Sequence, residues 1–242
     1  MDSTNSSGSD TLLSNASNVI AITAHEFKTP LTTINSIVDL LTSKLQADHL
    51  MNAFYQQNLS RISSEIFALN SMVDEMLTIN NILNGNIQSK REMMDIGLLL
   101  SPLKEQYQAL PDDGRSLIIH VTGTPKKICA SAAQLSRVLS NLISNAFKYS
   151  RKSDPVLHLD YQEKEVVITI TDDGIGIPEN DLPQLFQPYF RAGNVDGISG
   201  TGLGLSIVQS FITANEGDIT VNSQPDKGTV FTVTFRYPDT CQ

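Results

Sequence analysis

Asn141, Asn145, Lys148 and Tyr149 are spaced four, three and one apart within one helical stretch. At about 100° per residue the two amides and the lysine fall within roughly 60° of one another, with Tyr149 flanking and Val138, Leu139, Leu142 and Ala146 on the apolar side. Amide oxygens suit a hard cation such as Mg²⁺, lysine offers phosphate a point charge, and tyrosine offers an aromatic edge. A solvated helix face would use the same residue types. Further on, the β-type run Val166-Val167-Ile168-Thr169-Ile170 leads to Asp172-Asp173-Gly174-Ile175-Gly176. That places a carboxylate, able to accept an amino proton, at a strand end, followed by two glycines that let the backbone approach a ligand; a plain turn would also use Asp-Asp-Gly. A third segment, Gly200-Thr201-Gly202-Leu203-Gly204, runs into an apolar helix, where loose N–H groups and the helix dipole can face phosphate. Neither GxGxxG nor GxxxxGK[ST] occurs, and the acidic residues of an EF-hand loop are missing.

Near the start, Ala24-His25-Glu26-Phe27-Lys28-Thr29-Pro30-Leu31 sets an imidazole beside a carboxylate inside an amphipathic stretch. Thr29, four residues on, shares the face of His25, and Pro30 removes a backbone donor, so a bend just after His25 is expected. An ordinary kinked helix with solvated polar residues fits this segment taken alone.

These residues need elements to hold them. Apolar positions recur at helical spacing over residues 17–45 and again from Phe54 to Leu83, separated by Gln46-Ala47-Asp48-His49, which predicts an antiparallel helical hairpin. Two such helices cannot bury their apolar stripes on each other alone, so a second copy completing a four-helix bundle, a homodimer, is expected. After Gly85 short β-type runs (117–121, 156–160, 165–171 and 229–233) alternate with helices, predicting a mixed or antiparallel sheet packed under helices. Ser131-Ala132-Ala133-Gln134 reads as a capping box opening the helix that carries Asn141. The expected fold is therefore α+β in two domains: a flexible linker or tail over residues 1–14, the hairpin over 15–90 and an α/β sandwich over 91–242.

With 17 Lys plus Arg against 26 Asp plus Glu, the net charge of −9 argues against a nucleic-acid binder. Cys129 and Cys241 form no CxxC pattern and are too few for a disulfide framework, so a reducing, intracellular compartment is the simpler expectation. No run of 18 or more apolar residues occurs, so no direct membrane contact is expected of this chain. His49, His120 and His158 show no metal-ligand spacing.

Taken in order, His25-Glu26-Phe27-Lys28-Thr29-Pro30-Leu31, Asn141-x3-Asn145-x2-Lys148-Tyr149, Asp172-x-Gly174-x-Gly176, Phe186-x3-Phe190-Arg191 and Gly200-Thr201-Gly202-Leu203-Gly204 resemble the five boxes of the sensor histidine kinases of two-component systems. The resemblance covers roughly residues 15–237. It departs from the commonest pattern at Ala24, Phe27-Lys28 and Asp173, none of which removes a reactive group.

The resemblance implies a dimerisation and phosphotransfer hairpin followed by a catalytic domain of the Bergerat (GHKL) ATP-binding type. It implies ATP and Mg²⁺ as cofactors, His25 as the residue that attacks the γ-phosphate, and Glu26 as its orienting base. Asn145 and Asn141 would hold the metal, Lys148 would reach phosphate, Tyr149 would line the base pocket, and Asp172 would read adenine beside Gly174 and Gly176. Residues 178–200 would form a lid, with Arg191 placed to contact phosphate or the helical domain and the Gly200, Thr201, Gly202, Leu203 and Gly204 run closing on the nucleotide. Phe186 and Phe190 would pack under the lid or simply in the core. The resemblance further implies transfer to an aspartate of a separate response regulator, a phosphatase role assisted by Thr29, and a cytoplasmic location within a larger sensor. An ATPase clamp of the same fold and a scaffold with a decayed site are the competing classes.

Overall fold

The computed structural model describes residues 6–85, 90–108, 114–150, 153–198 and 200–241; within the first helix, side chains are described for Ala24 and from Glu26 onward. The chain divides into two compact units, Met1–Asn86 and Ile87–Gln242.

In the first unit, α1 (Ser6–Ala47) and α2 (Ala53–Leu83) form the expected hairpin. The turn between them is closed by the Leu50 and Met51 N–H groups donating to the Leu45 carbonyl at 2.9 and 3.1 Å, with His49 at φ 56°. Asn52 caps α2 by accepting from the Tyr55 N–H at 3.1 Å. α1 starts earlier than expected: residues 6–14, read as a linker, are helical, and residues 1–5 lie outside the described residues. Extending an existing helix needs only one residue ordered per hydrogen bond, whereas nucleating one is costly, so α1 can grow back through residues of middling propensity. The helix also continues through Pro30 without interruption.

Both helices carry apolar residues every seven positions, the recurrence of a coiled-coil seam. Leu31 and Val38 of α1 bury against Ile66 of α2, with Leu59 alongside, and Ala24 and Val73 extend the two buried series. Lys28 and Asp74 link the helices at 2.6 Å, but both are nearly half exposed, so the pair adds at most about 1 kcal/mol. A second series, Phe27, Ile34 and Leu41 on α1 and Tyr55, Ile62, Leu69, Met76 and Leu83 on α2, is exposed.

The second unit begins with β1 (Glu92–Met94), a 3₁₀ turn and α3 (Leu100–Gln108), followed by β2 (Ile118–Gly123) and β3 (Ile128–Ala130). Then come α4 (Ala132–Tyr149), β4 (Val156–Tyr161), β5 (Glu165–Asp172), a 3₁₀ turn over Glu179–Gln184, α5 (Gly204–Ala214), β6 (Gly217–Gln224) and β7 (Gly228–Arg236). Among the described residues β1 pairs with β3, and the main sheet has the order β2-β4-β5-β7-β6. It is mixed, as expected: β2 and β4 are parallel and the remaining pairs antiparallel.

Alternation along the strands sorts the sheet into two faces. Leu157 and Leu159 of β4, Val166, Ile168 and Ile170 of β5 and Phe231, Val233 and Phe235 of β7 form one buried row set, in register through Leu157↔Ile170↔Phe231 and Leu159↔Ile168↔Val233. Leu135, Leu139, Leu142 and Ile143 of α4 and Ile207, Val208 and Ile212 of α5 are likewise buried. Tyr107 of α3 stacks on Phe147 at 5.3 Å and donates to the Ser140 carbonyl at 3.0 Å.

The expected capping box at Ser131 does not form, since the Ser131 side chain makes no cap bond. Asn215, at the end of α5, takes its place. Its Oδ1 accepts from the Ser131 N–H at 2.7 Å, and its Nδ2 donates to Gln134 Oε1 and to the Phe211 carbonyl, both at 2.7 Å. Gln134, the residue that would have reached back to Ser131, is engaged by α5 instead. Cys129 and Cys241, expected to be separate thiols, are paired: the chain after β7 returns to β3, and their Cα atoms lie 5.1 Å apart in a disulfide. A pairing across 112 residues has no local sequence signature.

Asn215 is 2 % exposed, so Asn215→Ala strands the Ser131 N–H and the Gln134 carbonyl oxygen away from water. At about 1–3 kcal/mol for each stranded group, urea unfolding of the full chain should show the second unit losing about 2–6 kcal/mol. An unchanged midpoint would show that α4 and α5 hold together without this brace.

Candidate functional site

Asp172 is the last residue of the buried row of β5, opposite Thr229 of β7. Parity explains its placement: 166, 168, 170 and 172 share one face, so the strand delivers its final carboxylate to the helix-covered side. Only 8 % exposed, Asp172 accepts from the Gly174 N–H at 2.8 Å. Burial pushes its carboxyl up to about 6, against the pull of the Gly174 and Thr229 N–H groups, and the neighbouring Asp173 charge adds to the rise.

The two glycines that follow have a different role from the expected ligand approach. A Cβ on Gly174 would run into the Tyr149 carbonyl, and one on Gly176, at φ 67°, into the Gln224 carbonyl. The Ile175 N–H donates to that same Tyr149 carbonyl at 3.2 Å, which ties the strand-end loop to the last turn of α4. The glycines let the chain approach itself, and so carry Asp172 towards α4.

On α4, Asn145 Nδ2 donates to Asn141 Oδ1 at 3.1 Å, and Lys148 Nζ lies 4.8 Å from the centre of the Tyr149 ring. The glycine segment closes over them. A Cβ on Gly200 would stand 2.7 Å from Lys148 Nζ and 4.0 Å from Tyr149 Oη, and one on Gly204 would collide with the Asn141 amide. The first turn of α5 therefore presses against the amide pair. Its N-cap, Leu203, is apolar and offers no side-chain cap to the leading N–H groups. Leu203 itself is fully buried and anchors the turn, and Thr201 Oγ1 accepts from the Leu203 N–H at 3.2 Å. Gly202, at φ 74°, packs against the Tyr189–Phe190 backbone.

The segment expected as a lid runs through the 3₁₀ turn and successive turns, so Phe186 and Phe190 do not lie on a helix. The contacts that hold this segment include Asn194 Nδ2 donating to the Gly176 carbonyl at 2.9 Å, the Gly193 N–H donating to Asp181 Oδ2 at 2.8 Å, and Arg191 donating to the Val195 and Ile198 carbonyls. Arg191 thus braces the loop from within, where the resemblance implied contact with phosphate or the helical domain. Asn194 and Thr229 support the site, and neither lies in a motif that would single it out.

In the first unit, Glu26 and Thr29 are exposed on α1, one residue after and four residues after His25. The backbone of His25 is helical, and its side chain lies outside the described residues.

This geometry gathers Asn141, Asn145, Lys148, Tyr149 and the α5 N-terminus, with Asp172 tied in through Tyr149. It coincides with a known family. Residues 130–239 match the family described as "Histidine kinase-, DNA gyrase B-, and HSP90-like ATPase", and residues 15–85 match "His Kinase A (phospho-acceptor) domain"; together they span about three quarters of the chain. The chain belongs to the sensor histidine kinases of two-component systems. The aerobic respiration control sensor protein ArcB of Escherichia coli (strain K12) is 28% identical over 92% of this chain and 29% of its own length. Sensor histidine kinase RcsC of the same organism is 33% identical over 88% of this chain and 22% of its own length. The chain therefore spans less than a third of these two relatives. Among solved structures, full-length ShkA in complex with AMPPNP aligns with a TM-score of 0.71 at 20% identity, covering 93% of this chain and 47% of that one. The Acinetobacter baumannii histidine kinase AdeS aligns at 0.60 and 21% identity over 89% of this chain and 98% of its own. At these identities the two structures establish the fold. Among the described residues no helix is long and apolar enough to cross a membrane.

Asp172 titrates near 6, so its accepting, ionised form is lost as pH falls through that value. Affinity for a non-hydrolysable ATP analogue, followed by calorimetry from about pH 8 to about pH 5, should fall by up to tenfold per unit below about 6. Asp172→Asn should lose at least about tenfold at neutral pH and show a shallower profile, leaving only the ligand's own phosphate titration. Identical profiles for the two proteins would remove Asp172 from recognition.

Proposed function

We propose that the chain is an ATP-dependent protein-histidine kinase that phosphorylates His25 and passes the phosphoryl group to an aspartate on a response-regulator receiver domain. The observation that carries this reading is the convergence of the Asn141 and Asn145 amides, Lys148 and the α5 N-terminus on one spot, in a chain whose other unit carries the His25-Glu26 pair.

The residues fit a Mg-nucleotide. Asn141 Oδ1 accepts the Asn145 amide hydrogen, which turns Asn145 Oδ1 outward as a hard oxygen ligand. Gly200 and Gly204 leave room that any side chain would fill, beside a cation and an amide pair. Mg²⁺ held by Asn145 and Asn141 would supply charge neutralisation across the phosphates. Lys148 adds a positive charge, the leading N–H groups of α5 take phosphate oxygens, Tyr149 flanks the base and Asp172 accepts from the adenine amino group. The neutral ring nitrogen of His25 forms a bond to the γ-phosphorus as the β–γ bridging P–O bond breaks, and ADP departs with that bond's electron pair. Glu26 orients the imidazole and draws off its other proton. Positioning and electrostatics then supply most of the acceleration. Thr29, exposed on the His25 face, is placed to position water for the reverse, phosphatase role.

The partner that covers the exposed heptad series is a second copy of the chain. Phe27, Ile34 and Leu41 with Ile62, Leu69 and Met76 present an apolar seam of the same period as the buried one, and pairing two hairpins buries both in a four-helix bundle. The chain acts as the cytoplasmic part of a longer sensor.

Incubation with γ-labelled ATP and Mg²⁺ should give an acid-labile, alkali-stable label that is absent in His25→Ala and reduced about 10²-fold in Asn145→Ala. ATP hydrolysis without such a label would favour a clamp-type ATPase, and labelling that survives in His25→Ala would sink the assignment. Sedimentation should show a dimer that Ile34→Glu combined with Leu69→Glu converts to monomer. A dimer that persists in this double variant would place the interface elsewhere.

A further inference from the structure

We propose that Cys129 and Cys241 form a reversible thiol–disulfide site whose oxidised form fastens the C-terminal segment to β3, the strand that leads into the asparagine-bearing helix α4. They are the only cysteines in the sequence, so no other pairing competes within the chain. Their Cα separation of 5.1 Å falls within the range a bridge requires, and the segment after β7 carries Cys241 to that position. Cys129 is buried and Cys241 half-buried, so Cys241 is the more accessible of the two residues.

The segment has little else to hold it. It borders a partly open cleft of about 200 Å³ whose lining includes Ile128, Cys129, Asn215, Phe235, Tyr237 and Pro238. The Tyr237 hydroxyl is buried with no hydrogen-bond partner, a cost rather than a gain for docking. Among the described residues, the Tyr237 N–H donates to the Lys164 carbonyl at 3.1 Å and Lys126 Nζ lies 5.0 Å from the Tyr237 ring centre. With packing this loose, the covalent bond decides whether residues 238–241 stay down. The bond also lies next to the Asn215 brace, two residues before Ser131 on the same strand exit.

The oxidant is a low-molecular-weight disulfide. The reachable Cys241 thiolate attacks it, forming a mixed disulfide and releasing one thiol; the Cys129 thiolate then attacks the Cys241 sulfur and releases the second. Two protein thiols and one external disulfide thus give one protein disulfide and two external thiols. Excess external thiol runs the same steps backwards.

The full chain would be equilibrated across ratios of reduced to oxidised glutathione and read in three ways. Alkylation and mass spectrometry should show two thiols at reducing ratios and none at oxidising ratios, with the loss of two hydrogens from a single chain. The oxidised chain should melt about 5–15 °C above the reduced one. Carboxypeptidase should trim the C-terminus of the reduced chain at least tenfold faster. Cys241→Ser should behave as the reduced chain at every ratio; if that variant folds poorly, Cys129→Ala serves the same purpose. Two free thiols at every ratio, bonds formed only between chains, or equal trimming of oxidised and reduced chains would overturn the proposal.

Discussion

The site depends on how closely α5 can approach α4. Gly204 lies so near the Asn141 amide that no side chain fits there, and that contact sets the uncapped first turn of α5 beside the amide pair. At the far end of α5, about 16 Å away along an eleven-residue helix, Asn215 is hydrogen-bonded to the start of α4. The two helices are thus fixed at both ends, one end by the absence of a side chain and the other by a buried amide. Between them the apolar residues of both helices fill the space over the sheet. A rotation of either helix would break Asn215's bonds or drive Gly204 into Asn141, so the position of the N–H groups relative to the amides is determined by packing far from where they act.

Asp172 follows from the sheet in a similar way. A shift of one residue in β5 would send it to the outer face with Thr169 and Thr171, so register along Ile168↔Val233 and Ile170↔Phe231 is what brings the carboxylate inside. Burial there disfavours its charged form, and the Gly174 and Thr229 N–H groups recover only part of that penalty. The fold thus holds a carboxyl pushed up to about 6 at the end of an otherwise apolar row, the kind of perturbed group that marks a candidate site.

The chemistry-bearing residues of α4 were legible because helical periodicity is local: the 4-3-1 spacing fixes a face without knowledge of the fold. The hairpin was legible for the same reason, although its seven-residue seam emerged only with the fold. Long-range contacts were not. Ser131 and Asn215 are 84 residues apart, so a capping box was the natural reading of Ser131-Ala132-Ala133-Gln134, and only the fold shows Gln134 drawn to α5. Gly174 and Gly176 could be recognised as sites of close approach, but the sequence did not say that the approaching groups are the Tyr149 and Gln224 carbonyls. Arg191 looked by type like a contact for phosphate or the helical domain, and its guanidinium here serves loop carbonyls four and seven residues away. The three-residue strands β1 and β3 are too short to show any period.

The segment over residues 186–198 differs from the rest of the unit in how it is held. The core under α4 and α5 consists of side chains with almost no exposed surface, each worth about 1.5–3 kcal/mol in burial. Over residues 186–198 the fastenings are instead a few part-exposed or exposed hydrogen bonds, from Asn194 to Gly176, Gly193 to Asp181 and Arg191 to its own loop, each worth about 0.5–1.5 kcal/mol net. Two of these are internal to the segment that includes the 3₁₀ turn, and its ties to the rest of the unit include the Asn194 bond to Gly176, the buried Leu185 side chain and the packing of Gly202 on Tyr189. That packing adjoins Gly204, and the Gly176 carbonyl belongs to the loop that carries Asp172, so two glycines join this segment to the two sides of the site.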